Sequence, residues 1–114
     1  MRLNYKDVSF LLTGDINSAT ERELLKQNIQ LASTVLKVAH QGSRGSSSDR
    51  FLAAVSPAVS VVPVGTRNPF GHPHEDALQR VTAATQNGRV YTTANNGDVR
   101  FMTDGHRLWV RTER

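Results

Sequence analysis

The 114-residue chain contains no cysteine. That excludes disulfides, thiolate metal sites and a cysteine nucleophile. Any metal would have to be held by His, Asp or Glu, a donor set suited to hard or borderline divalent ions. No apolar run comes near the ~20 residues that span a bilayer, so no membrane segment is expected. Residues 1–6 (Met-Arg-Leu-Asn-Tyr-Lys) lack the apolar stretch and small-residue cleavage site of a secretory signal. A cytoplasmic location is the default expectation, open to revision if the chain is cut from a larger membrane protein. No serine stands on a Gly-x-Ser-x-Gly elbow, and there is no Gly-x-x-x-x-Gly-Lys phosphate loop.

What is present suits one small folded domain. Hydrophobic residues make up 38% and charged residues 21% of the chain, which separates it from the disordered class. The net charge is +4. Basic residues thicken towards the end at Arg100, His106, Arg107, Arg111 and Arg114. Such a surface is compatible with a nucleic-acid partner and equally with a solvated basic face.

Periodicity predicts the elements. Leu3 and Tyr5 and then Val8 to Leu12 read as two strands about a turn at Lys6-Asp7. Thr20, Glu21 and Glu23 look like a helix start, with acids near the positive end of the dipole. An apolar stripe of Leu24, Leu25, Ile29 and Leu31 carries that helix to about residue 30. Val35 to Ala39 and Val59 to Val64 read as short buried strands. Between them lie the polar loop 40–48 and a helix over 49–55, stopped by Pro57. A Gly-, Pro- and Asn-rich loop, 65–73, precedes a helix over about 75–85. Strands at 89–93, 98–103 and 106–112 follow, with turns at Asn95-Asn96-Gly97 and Asp104-Gly105. The predicted order is ββαβαβαβββ, an α/β arrangement without internal repeats.

Three polar clusters fall just after predicted buried strands: Asp15, His40, and His72 with His74. In layered α/β folds ligands collect at such strand ends, where a carboxylate and imidazoles could jointly hold a metal. Each cluster also has a structural reading. Thr13-Gly14-Asp15 can be a turn, His40 a hydrogen-bonder, and residues 71–74 a rigid turn. Ser46 to Ser48 read as helix caps.

Taken in order, these segments resemble one family. Residues 9–16 (Ser-Phe-Leu-Leu-Thr-Gly-Asp-Ile) are followed by 35–43 (Val-Leu-Lys-Val-Ala-His-Gln-Gly-Ser), 46–52 (Ser-Ser-Ser-Asp-Arg-Phe-Leu), 55–57 (Val-Ser-Pro) and 64–73 (Val-Gly-Thr-Arg-Asn-Pro-Phe-Gly-His-Pro). The series looks like the C-terminal half of the metallo-β-lactamase-fold domain of ComEC-type DNA-internalisation (competence) proteins and related hydrolases, and it covers nearly the whole chain. The resemblance implies half of a four-layered αββα sandwich. It implies that Asp15 is the bridging metal-ligand aspartate and His40 the late histidine ligand, with catalytic roles; the metal would be zinc or manganese, or, the site being incomplete, none. Gln41, Ser43, His72 and His74 would border the site. Where this family usually has two histidines, this chain has His40-Gln41. The family's His-x-His-x-Asp-His motif is absent.

Two ligands fall short of the three that a catalytic zinc usually takes from protein. Half a sandwich also exposes an apolar sheet face, at roughly 25 cal/mol per Å2, to be hidden in a homodimer or by closing its own small barrel-like sheet; an oligomer is expected. Three readings follow: a hydrolase half completed by a partner, a non-catalytic dimer that binds nucleic acid, and a fragment without independent function.

Overall fold

The computed structural model describes residues 1–114. Strand β1 (Arg2–Tyr5) turns at Lys6, whose φ is 53°, and returns antiparallel as β2 (Val8–Leu12). From β2 the sheet grows in one direction through β3 (Val35–Lys37), β4 (Val59–Val62) and β5 (Val90–Thr92), all parallel. The crossovers are helices α1 (Ser18–Lys26), α2 (Asp49–Val55) and α3 (Glu75–Ala84). Right-handed crossovers in a sheet that grows one way put all three helices on one face. The core lies there: Leu11, Leu36 and Val62 of the sheet pack with Phe51, Leu52, Val55 and Val81 of the helices. No helix is long and apolar enough to cross a membrane.

The other face carries a hairpin, β6 (Val99–Thr103) and β7 (Leu108–Thr112). Phe101 meets Phe10 edge-on, with ring centroids 6.1 Å apart. Leu108 and Val110 lie beside Val59 and Tyr91. Its tip is tied to the β1–β2 turn: Asp7 N–H donates to Gly105 O at 2.8 Å, and His106 Nδ1 lies 2.8 Å from the Asp7 carboxylate. The hairpin covers the sheet incompletely. Leu12, Lys37 and Val61, aligned in register next to the strand ends, remain half-buried.

The expected order of strands and long helices is the observed one, with corrections at the ends. Helix α1 starts at Ser18, because Asn17 rather than Thr20 is its cap; Asn17 Oδ1 accepts from Thr20 N–H at 3.1 Å. It ends at Lys26, not near residue 30, since Asn28 turns left-handed at φ 54°. That leaves Ile29 48% exposed, while Leu31 is buried. Strands β3, β4, β5 and β7 are shorter than expected. The expected turn at residues 95–97 is preceded by a helical turn, Thr93–Asn96, capped by Thr92 Oγ1.

Glu21 is not a surface dipole partner. It is fully buried. Its Oε2 accepts Ser47 N–H at 2.6 Å and its Oε1 accepts Ser48 N–H at 2.9 Å. Arg80 of α3 closes the same loop from the other side, donating to the carbonyls of Arg44, Ser46 and Ser47 at 3.0 to 3.2 Å. Of the serines, Ser48 caps α2 through Phe51 N–H, and Ser46 Oγ donates to Ile16 O. Replacing Glu21 by Gln puts an NH2 donor against one of two backbone donors, and Ala leaves both without an acceptor. Urea unfolding should show a loss of roughly 3 kcal/mol for Glu21→Ala and a smaller loss for Glu21→Gln; wild-type stability in both would show that the two N–H bonds contribute little.

Candidate functional site

The candidate residues sit at the carboxyl ends of the parallel strands, where four loops meet. Asp15 follows β2, in an exposed turn opened by Gly14 at φ 58°. The first loop is joined to the second by His40 N–H, which donates to Gly14 O at 2.9 Å. His40 and Gln41 are both exposed and both left-handed, with φ of 50° and 54°. Two adjacent non-glycine residues in that region cost of order 1–2 kcal/mol each, so the surrounding loop has to hold them. Glu21 and Arg80 anchor it further along. Within it Ser43 N–H donates to His40 O at 3.0 Å, and Ser43 Oγ accepts from Gly45 N–H.

The second and third loops close on one another at Gly42. A methyl group there would lie 2.6 Å from Pro73 Cβ, and the φ of 81° suits only glycine. Gly42 O accepts from His74 N–H at 3.0 Å. The third loop is braced by Asn68. Its Oδ1 accepts His72 N–H and its Nδ2 donates to His72 O, both at 2.8 Å. The fourth connection, after β5, is tied in by Thr93, whose hydroxyl accepts Val64 N–H and donates to Val64 O.

This arrangement gathers three histidines, with the His40 and His72 rings tilted and the His72 and His74 rings edge to face. The His40 and His72 rings are 5.7 Å apart, and the His72 and His74 rings 4.7 Å. Phe70 stacks on the outside of His72 at 5.6 Å. His74 is committed to structure: Nδ1 accepts Arg44 N–H at 3.0 Å, which leaves Nε2 as the donor to Phe70 O at 3.1 Å. His72 Nδ1 is closed off from solvent without a hydrogen-bond partner. Burial, and then the neighbouring His74 and His40, hold the His72 imidazole below its ordinary value of 6.5.

The geometry thus brings His40, His72 and His74 together and ties the loop of Asp15 to that of His40 through Gly14. Gln41 and Ser43 flank them. No group of three or more His, Cys, Asp or Glu side chains converges as a metal cage. With both His74 nitrogens engaged, the residues of this chain do not by themselves fit a complete catalytic zinc or manganese site. Glu21, Asn68 and Arg80 position these loops, a role the sequence showed for none of them; Glu21 read only as an acid at a helix start. The one available hint was Asn68 inside a turn-rich loop.

The two perturbed histidines give a clear titration test. Proton binding disfavoured in the fold means that the His72 contribution to stability is full above pH 6.5 and is lost as pH falls. His106, raised by its hydrogen bond to Asp7 and by that carboxylate's charge, contributes below pH 6.5 and loses its effect as pH rises through its folded value. Imidazole NMR titration should place His72 below and His106 above 6.5, and Asp7→Asn should return only His106 towards the ordinary value.

No family model matches the chain, and no solved structure matches it. Curated relatives do. The chain is 32% identical over 94 residues to ComE operon protein 3 of Bacillus subtilis (strain 168), covering 82% of the chain and 12% of that protein. It is 42% identical over 76 residues to competence protein ComA of Neisseria gonorrhoeae, covering 66% and 11%. It is 32% identical over 106 residues to recombination protein 2 of Haemophilus influenzae, covering 93% and 13%. The chain therefore spans only about an eighth of the length of these relatives. These similarities relate the chain to the ComEC-related family of competence proteins.

Proposed function

We propose that this chain is the C-terminal half of a metallo-β-lactamase-like phosphodiesterase unit within a competence protein that acts on DNA. Asp15 and His40 supply part of its metal-ligand edge, and the remaining ligands come from another segment or a partner chain. The observation that carries this reading is the bond from His40 N–H to Gly14 O, which joins the two candidate ligand loops at the ends of adjacent parallel strands. Similarity to competence proteins supports the substrate class. The half-buried row of Leu12, Lys37 and Val61 supports a missing cover for the sheet.

When bound, a divalent ion would supply Lewis-acid and water-activating chemistry. The chain's own contribution is positional. It offers an exposed carboxylate and an exposed imidazole on loops braced from below, with the His72 ring 5.7 Å from that of His40. A second reading, a non-catalytic homodimer that binds nucleic acid, is favoured by Gln41 in place of a second histidine and by the partly uncovered sheet. It calls for salt-sensitive DNA binding without cleavage.

The test is metal-dependent hydrolysis of labelled DNA by this chain together with the segment or partner chain that supplies the remaining ligands. Asp15→Ala should lower the rate by about 100-fold or more, the scale on which loss of one charge-stabilising group acts, without changing the far-UV spectrum. Full activity in Asp15→Ala would remove the residue from the site. DNA binding without any cleavage in the wild type would favour the second reading.

A further inference from the structure

Helices α1 and α2 are in contact, and residues of both line a recess of about 340 Å3. Arg22, Leu25 and Lys26 of α1 and Arg50 of α2 line it. None of these belongs to the histidine edge. Three of the four are cations, and no carboxylate lines the recess. The two ion pairs of the molecule, Arg80–Asp76 and His106–Asp7, involve none of them. Glu21, beside Arg22 in sequence, is turned inward with both oxygens occupied by Ser47 and Ser48. Glu23 and Asp49, also adjacent in sequence, do not line the recess.

Arg22 and Lys26 stand four residues apart, on one side of α1, where like charges repel by a few tenths of a kcal/mol. Arg50 adds a third positive charge from the neighbouring helix. An anion seated among them would relieve that repulsion. Two guanidinium forks match the oxygens of a phosphate, and the lysine adds a point charge. The three cations line a single recess. That arrangement suits one compact dianion better than a nucleic-acid backbone followed along its length.

We propose that this recess binds a phosphate monoester group, either free or presented as a phospholipid headgroup. The site is independent of the phosphodiesterase reading and is tested by binding alone. Backbone and side-chain NMR shifts are followed during titration with inorganic phosphate, against sodium chloride at matched ionic strength. The expected result is saturable shifts centred on Arg22, Lys26 and Arg50, weakened about tenfold or more in Arg22→Gln and Arg50→Gln. Both variants should keep the wild-type spectrum elsewhere. A second arm measures retention on vesicles of phosphatidic acid in phosphatidylcholine against phosphatidylcholine alone. Retention that the same substitutions abolish identifies the headgroup as the source, whereas phosphate shifts without retention identify a free ester. Shifts that chloride reproduces, that centre elsewhere, or that survive both substitutions would overturn the proposal.

Discussion

The Glu21 side chain lies wholly inside the protein, with a backbone N–H of the 40–48 loop on each of its oxygens. Burying a carboxylate is costly unless its lone pairs are met, and here the loop meets them. Arg80 binds the same loop through its carbonyls. A segment rich in serine and glycine, with few apolar contacts of its own, is thereby fixed between two helices. The consequences run upstream. With residues 44–48 held, the left-handed pair His40 and Gln41 spans the distance back to β3, and His40 N–H reaches Gly14 on the neighbouring strand end.

The sheet supplies the rest of the frame. Parallel strands growing in one direction place the loops after β2, β3, β4 and β5 along one edge, and that topology alone puts Asp15, His40 and His72 on the same side of the molecule. Close contact is then decided by small features. Gly42 lets Pro73 approach, Asn68 holds the His72 backbone, and His74 spends both ring nitrogens on backbone groups. The last of these sets a limit: an imidazole already used as both acceptor and donor is not free to bind a metal.

Much of this architecture was legible in the sequence. The alternation in residues 2–12 and the Ser48 cap before 49–55 each gave the right element, and the β-branched runs at 35–39 and 59–64 gave strands two residues too long, because short-range pattern and burial agree there. The left-handed stop at Asn28 was missed, since asparagine carries only a weak preference for that region. The helical turn at 93–96 was missed because its cap, Thr92, is also the last residue of β5. The positioning roles of Glu21 and Arg80 were out of reach for a different reason. Their partners lie 26 to 36 residues away in the chain, and the bonds go to backbone, which leaves no pattern in residue type. The candidate site showed the opposite balance. Its residues were visible as a series of polar clusters after strands, while the engagement of His74 and the orphaned His72 Nδ1 needed the structure.

Asp15 and His40 stand exposed on braced loops, and the proposed function has them hold a catalytic ion only with ligands from outside these residues. Metal content of the purified chain after exposure to zinc or manganese, set beside Asp15→Ala, tests this most directly. The account predicts well under one ion per chain in both proteins under conditions where the chain is folded and monomeric. One tightly held ion per wild-type monomer, absent from Asp15→Ala, would contradict it by showing that these 114 residues close the site on their own.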